Sequence, residues 1–242
     1  MKKVILLIGA LTISLNTCFS QVMEGVITYE AKMNLHRRLP PDRQDMKSMM
    51  PEFRTSKEQL FFNANETLYK PIIEDDADEL ADGGGMRIQI ARPYFEYYLN
   101  STNNDVISKR EFMGKNYLIT TPLKIAPWKF SDETKLLLGY MCKQAYYTTE
   151  DSKQTITAWY TSEIRPFIGP NTYNTLPGAI LALDINNEEQ VFVATQIDIR
   201  ALKKNEMKIP KGGQEMTDEE FRKMMEESMR QMGGNGMRMI RN

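Results

Sequence analysis

The stretch Val26-Ile27-Thr28-Tyr29-Glu30-Ala31-Lys32-Met33-Asn34-Leu35 alternates with a period of two. Ile27, Tyr29, Ala31, Met33 and Leu35 fall on one side, and Thr28, Glu30, Lys32 and Asn34 on the other. Successive strand side chains point to opposite faces, so this is a strand with one face on a core and one in water. Similar alternation marks Met86–Arg92, Lys153–Thr161 and Gln190–Arg200. Less regular apolar runs lie at Gln59–Asn63, Thr67–Ile73, Tyr94–Leu99, Val106–Phe112, Asn116–Thr121, Leu138–Tyr147 and Ile180–Ile185. Turn-forming clusters separate them at Asn100–Asp105, Met113-Gly114-Lys115, Glu150–Lys153 and Asn186–Glu189. Short turns with no helical period between strands exclude a parallel βαβ sheet. They leave a mainly β fold, either one antiparallel sheet that curls or a sandwich.

Two stretches interrupt the pattern. His36–Ser56 carries Pro40-Pro41, Met46, Met49, Met50 and Pro51, and reads as a crossover with one short helix. Glu74–Asp82 is densely acidic and runs into Gly83-Gly84-Gly85. Asp76 and Asp78 have the spacing of a calcium loop, but Leu80 stands where a third oxygen ligand belongs and no Glu closes it. A solvated hairpin tip is the better reading. The tail after Arg200 changes character. Thr217-Asp218-Glu219-Glu220 is a capping box, and Phe221, Met224, Met225, Met229 and Met232 follow at helical spacing. Gly233-Gly234 marks a stop. The chain thus divides into residues 1–20, a β domain over 21–200, and a Met-rich tail over 201–242 with a helix at about 218–232.

Residues 1–20 read as a secretory signal peptide. Lys2 and Lys3 precede an apolar run from Val4 to Leu15, and Cys18 and Ser20 occupy the −3 and −1 positions of a cut before Gln21. The run is too short to span a bilayer, which takes about 20 residues. Thr17 is larger than the residue a lipoprotein signal places before its Cys, so a lipid anchor at Cys18 is not expected. The expected destination is the periplasm or the outer membrane, with no transmembrane span in the mature chain. Loss of Lys2 and Lys3 takes the formal charge from −1 to −3. No basic excess draws nucleic acid, which needs clustered Lys and Arg.

Composition discards most catalytic chemistries. His36 is the one imidazole and sits beside Arg37 and Arg38 at a strand end, an ordinary surface setting. Cys142 lies among large apolar neighbours, where a buried and unreactive thiol is the rule. No Gly-rich turn leads into Lys-Ser or Lys-Thr, so no phosphate cradle of the Walker kind is present. An enzyme is not expected, and neither is a cofactor. Thioether sulfur suits Cu(I), and Met224, Met225, Met229, Met232, Met237 and Met239 offer it in the tail. Methionine is also an adaptable packing residue, and Phe221 at the head of the stripe favours packing.

Gly139-Tyr140-Met141-Cys142-Lys143-Gln144-Ala145, Ala158-Trp159-Tyr160-Thr161, Gly169-Pro170 and Leu176-Pro177-Gly178-Ala179-Ile180-Leu181 form an ordered series. It resembles the GLPGLI family of exported envelope proteins, with Thr175 in place of the first Gly and Ala179 in place of the second Leu. The resemblance implies a β-rich exported protein with no catalytic residues to carry over. It also implies a half-barrel similar to the LolA/LolB lipoprotein carriers. Physically, Pro177-Gly178 suits a type II turn with Gly178 at positive φ, and Leu176 and Ile180 would fasten the loop to the core. The first expectation is therefore a non-catalytic envelope protein that binds an apolar ligand or a partner protein. Its contact residues would be Trp128 and Trp159 on the sheet, Leu176, Pro177 and Gly178 on the rim, and Phe221, Met224 and Met225 on the helix. The alternative is soft-metal binding by the tail.

Overall fold

A computed structural model describes residues 21–73 and 94–238, and in it the strands join one twelve-stranded sheet. They are β1 (Gly25–Asn34), β2 (Phe53–Phe62), β3 (Glu66–Pro71), β4 (Phe95–Asn100), β5 (Asp105–Phe112) and β6 (Lys115–Pro122). The second half is β7 (Lys129–Leu137), β8 (Tyr140–Thr148), β9 (Thr155–Thr161), β10 (Ala179–Ile185), β11 (Gln190–Asp198) and β12 (Gln214–Met216). Spatial order is β12-β6-β5-β4-β3-β2-β1-β11-β10-β9-β8-β7. Every neighbour is antiparallel except β12, which lies parallel to β6. The proposed signal peptide, the acidic stretch Glu74–Asp82, the expected strand Met86–Arg92 and Met239 lie outside the described residues.

The curl of the sheet follows from one short connection. β6 and β7 stand ten positions apart in the order, which in a flat sheet is ~48 Å at ~4.8 Å per strand. Only Leu123–Trp128 joins them, and seven Cα steps reach at most ~25 Å. The sheet must therefore bend its two ends toward each other. It stays open, with β12 and β7 as its free edges.

The alternation of β1 sorts the two faces. Ile27 and Tyr29 are fully buried on the inner face, in the main core with Leu60, Phe62, Tyr69, Ile156, Ala158, Leu183 and Phe192. The segment between β9 and β10 completes that core with Ile164, Ile168 and Leu176, so the half-barrel is packed by its own chain. Arg165 ties this segment to the far half of the sheet: its Nη2 donates to the Glu66 carbonyl at 2.8 Å. Val26, Phe61, Leu68 and Tyr98 face the other way and are covered by Leu202 and Met207 of the tail.

Several expectations need correction. β7 has no counterpart in the sequence reading, because its residues are exposed on both faces and so carry no alternation. β2 begins at Phe53, inside the expected crossover, and the crossover holds two 3-10 segments, His36–Arg38 and Pro41–Met49, in place of one short helix. The tail adds β12 to the sheet. Its helix, α1 (Asp218–Arg238), continues through Gly233 and Gly234. A glycine ends a helix by taking a left-handed φ; inside one it costs about 1 kcal/mol and is tolerated. The capping box is formed: the Thr217 amide donates to Glu220 Oε2 at 2.8 Å and the Glu220 amide to Thr217 Oγ1 at 3.2 Å.

Candidate functional site

The register places a row of polar and aromatic side chains across the inner face. Tyr69 pairs with Tyr97, Phe95 with Arg110, and Arg110 with Tyr117. Antiparallel partners share a face, so all of these point inward alongside Ile27 and Leu60. The Tyr69 and Phe95 rings meet edge to face at 6.5 Å, and Phe95 and Tyr97 lie 6.4 Å apart. The Arg110 guanidinium sits 5.9 Å from the Phe95 ring and 5.4 Å from that of Phe221, and pairs with Asp218 at 3.7 Å.

From Arg110 the row continues to the segment before β10. Burial pushes the Tyr97 phenol up, while a hydrogen bond from Asn174 and the charge of Arg110 hold it back. Burial likewise lowers Arg110, against the opposing pull of Asp218 and Tyr97. Beside Asn174, Thr175 Oγ1 accepts from the Trp128 indole Nε1 at 3.0 Å and from the Ala126 amide at 3.2 Å. Trp128 then stands edge to face on Tyr147 at 4.7 Å. Thr175, one of the two departures from the GLPGLI pattern, thus holds the β6–β7 connection in place.

Three polar atoms of this row are buried without a hydrogen-bond partner: Tyr69 Oη, Arg110 Nε and Asn174 Oδ1. Tyr69 is 1% exposed and Asn174 2%. Glu58 is inward on β2, opposite Tyr29, and fully buried. Burial raises its carboxyl to about 7, against the weaker opposing effect of the Ser56 hydroxyl bond.

The expected contact residues separate into three groups. Trp128 and Leu176 belong to the inner face, and Leu176 is 1% exposed, a core residue. Pro177 is exposed. Gly178 does not take the expected positive φ. Glycine is needed there for room, since a Cβ would stand 2.0 Å from the Thr161 carbonyl oxygen. Trp159 alternates with the inward Ala158 and Tyr160, so it lies on the opposite face, with Lys135 Nζ 5.8 Å from its ring. Phe221 is buried against Tyr117 at 5.4 Å and Phe112 at 6.2 Å, and Met224 and Met225 pack on the same cluster. For Met229, Met232 and Met237 only the backbone, within α1, is described.

The sequence reading missed Glu58, Tyr69, Arg110 and Asn174. A signal existed for Arg110: it shares the parity of Val106, Ser108 and Phe112, so a charge stands where the apolar register of its strand continues. His36, the one imidazole, lies outside the row with Nε2 3.1 Å from the Met50 carbonyl oxygen. The Cys142 thiol is buried and raised to about 11, first by burial and then by Glu163, with Lys135 opposing. Among the described residues no group of three or more His, Cys, Asp or Glu is placed to hold a metal.

Comparison with known proteins places this architecture. The family model described as the N-glycanase peptide, N-terminal domain, of the PNGase F-II type, matches residues 85–221, more than half of the chain. The chain belongs to that family. Two solved structures of PNGF-II, in the P21 and C2 space groups, share the fold with TM-scores of 0.55 and 0.57 at 19% identity. They match 84% of this chain and 33% and 32% of their own, so the chain spans about a third of their length. No curated protein matches the sequence. Within the described residues no helix is long and apolar enough to cross a membrane.

Proposed function

We propose that this chain is an exported, non-catalytic binding module whose inner-face row takes a ligand with both hydrogen-bonding groups and an apolar face, of the glycopeptide class. The observation that carries the reading is the set of buried, unpartnered atoms Tyr69 Oη, Arg110 Nε and Asn174 Oδ1 among the rings of Phe95, Tyr97 and Phe221. A buried polar atom left unpaired costs about 1–3 kcal/mol, and a hydroxyl-rich ligand would recover that cost. The proposed ligand is more polar than the apolar one first expected, because Arg110 and Asn174 ask for polar partners. Membership in an N-glycanase N-terminal family supports the glycopeptide class. The signal-like residues 1–20 and the GLPGLI resemblance support export to the envelope. The packing of Met224 and Met225 against Phe221 and Tyr117 supports contact over a soft metal for the tail.

The test is calorimetric titration of the purified chain with an N-glycosylated peptide and with the same peptide unglycosylated. Binding of the glycosylated form alone is expected, with a loss of about tenfold or more in Asn174→Leu and in Arg110→Met, each removing one charged or polar contact. No heat with either peptide, or binding unchanged in both variants, would overturn the proposal.

A further inference from the structure

The hairpin joining β7 and β8 carries a feature that the fold does not use. From Leu136 to Cys142 it has no charged residue, and Leu136, Leu138 and Met141 are 64%, 47% and 54% exposed. Leu136 and Met141 pair directly across the strands and flank the turn Leu138-Gly139. That turn has φ of 50° at Leu138 and 86° at Gly139, the primed conformation that normally takes Asn or Asp before Gly. A bulky residue is disfavoured in the left-handed region, and Leu138, 47% exposed, recovers little of that by burial. Leu137 and Tyr140 pack against the main core, so the tip stands on a fixed base. Lys135 and Lys143 are exposed and lie just behind the tip on either strand.

We propose that this tip docks in the interfacial layer of an anionic lipid membrane, with Leu136, Leu138 and Met141 entering the acyl boundary and Lys135 and Lys143 meeting the headgroup phosphates. Exposed aliphatic side chains in a cluster mark interaction sites, and a pair of lysines behind them complements an anionic headgroup plane. A protein partner would gain most by adding a strand to the free edge of β7. That edge opposes it: the register slips between Phe130 and Thr134, and the exposed carboxylates Asp132 and Glu133 sit in the slip. The other hairpin of this turn type, Met113-Gly114, ends in a single exposed apolar residue with Lys115 in the closing pair. It serves as the control.

The experiment is sedimentation of the purified chain with vesicles of phosphatidylethanolamine and phosphatidylglycerol, and with vesicles of phosphatidylcholine alone. Binding to the anionic vesicles is expected, weakening as salt is raised. The double variant Leu136→Ser/Met141→Ser should lose about tenfold or more in partitioning. Lys135→Gln/Lys143→Gln should lose on the order of tenfold along with the salt dependence. Met113→Ser should bind as the parent does. These sites are exposed, so thermal melts of all three should match the parent. Absence of binding to the anionic vesicles overturns the proposal. So does undiminished binding by the tip variants, or a concentration-dependent dimer that the same substitutions abolish.

Discussion

Gly178→Ala should be among the most damaging single-methyl additions in this protein, and the structure shows why. An ideal Cβ on Gly178 would lie 2.0 Å from the Thr161 carbonyl oxygen, 2.6 Å from its carbon and 3.0 Å from the Ser162 nitrogen. All three are backbone atoms, so no side-chain rotation relieves the contact. An ordinary contact of about 3.4 Å requires the end of β9 and the start of β10 to separate by more than 1 Å. That movement opens the Thr161–Ala179 pairing and shifts Ile180, whose carbonyl accepts the buried Tyr29 hydroxyl at 2.6 Å. Each lost hydrogen bond costs about 1 kcal/mol and overpacking adds about 1–3 kcal/mol, so the expected loss is about 3–5 kcal/mol. In a domain of this size that lowers the melting temperature by roughly 10 °C. Urea unfolding followed by the fluorescence of Trp128 and Trp159 measures it. Pro177→Ala, at an exposed position, is the matched control. Gly114→Ala tests the other reason for glycine: its φ is +73° with nothing within 4 Å of the added Cβ, so about 1 kcal/mol is expected. A Gly178→Ala loss below 1 kcal/mol, or one no larger than that of Gly114→Ala, would refute the close-approach argument.

Glu58 sets a pH dependence. Its carboxyl is raised from 4.5 to about 7 by burial, so between those values the folded state holds more protons than the unfolded. Stability should therefore be full below about 4.5, fall as pH rises through about 7 by up to about 3 kcal/mol, and then level off. Glu58→Gln should flatten that slope in urea titrations taken across the window. Thr175→Val removes the acceptor of the Trp128 indole and the Ala126 amide and should cost about 1–3 kcal/mol. A red shift of tryptophan emission in the folded state should accompany it as the β6–β7 connection loosens. Cys142 is buried with its thiol raised to about 11, so at pH 8 only about one molecule in a thousand carries the thiolate. Alkylation by iodoacetamide should be slower by orders of magnitude than in urea, and equal rates would show the thiol exposed.

What the sequence made legible depended on whether a strand had two different faces. β1, β9 and β11 each bury one side and wet the other, and their alternation appears directly in the residues. β7 is an edge strand exposed along most of its length, so Lys129–Leu137 reads as charged loop and only hydrogen bonding to β8 reveals it. β12 spans three residues and depends on β6 for its existence. The capping box ahead of α1 was legible because it is a local device, closed within four residues. The curl was not: it is fixed by the mismatch between strand order and the length of one connection, and strand order is a long-range fact.

The candidate site divides in the same way. Phe221 could be found because it leads an amphipathic stripe, whereas Leu176 and Gly178, singled out by their motif, serve the core and a close backbone approach. Tyr97 and Arg110 are diagonal neighbours on the paired strands β4 and β5, and Asn174 joins them only because the segment before β10 crosses the inner face. A trace remained in the strands, where Glu58 and Arg110 hold inward positions that packing alone would fill with apolar residues. A charged group costs several kcal/mol to bury without compensation. Arg110 is compensated by Asp218 of the tail helix, whose first turn also delivers Phe221 to the same guanidinium. The tail is thus joined to the row by charge as well as by packing. Its detachment would strip Arg110 of both its carboxylate and its ring partner and leave the guanidinium uncompensated.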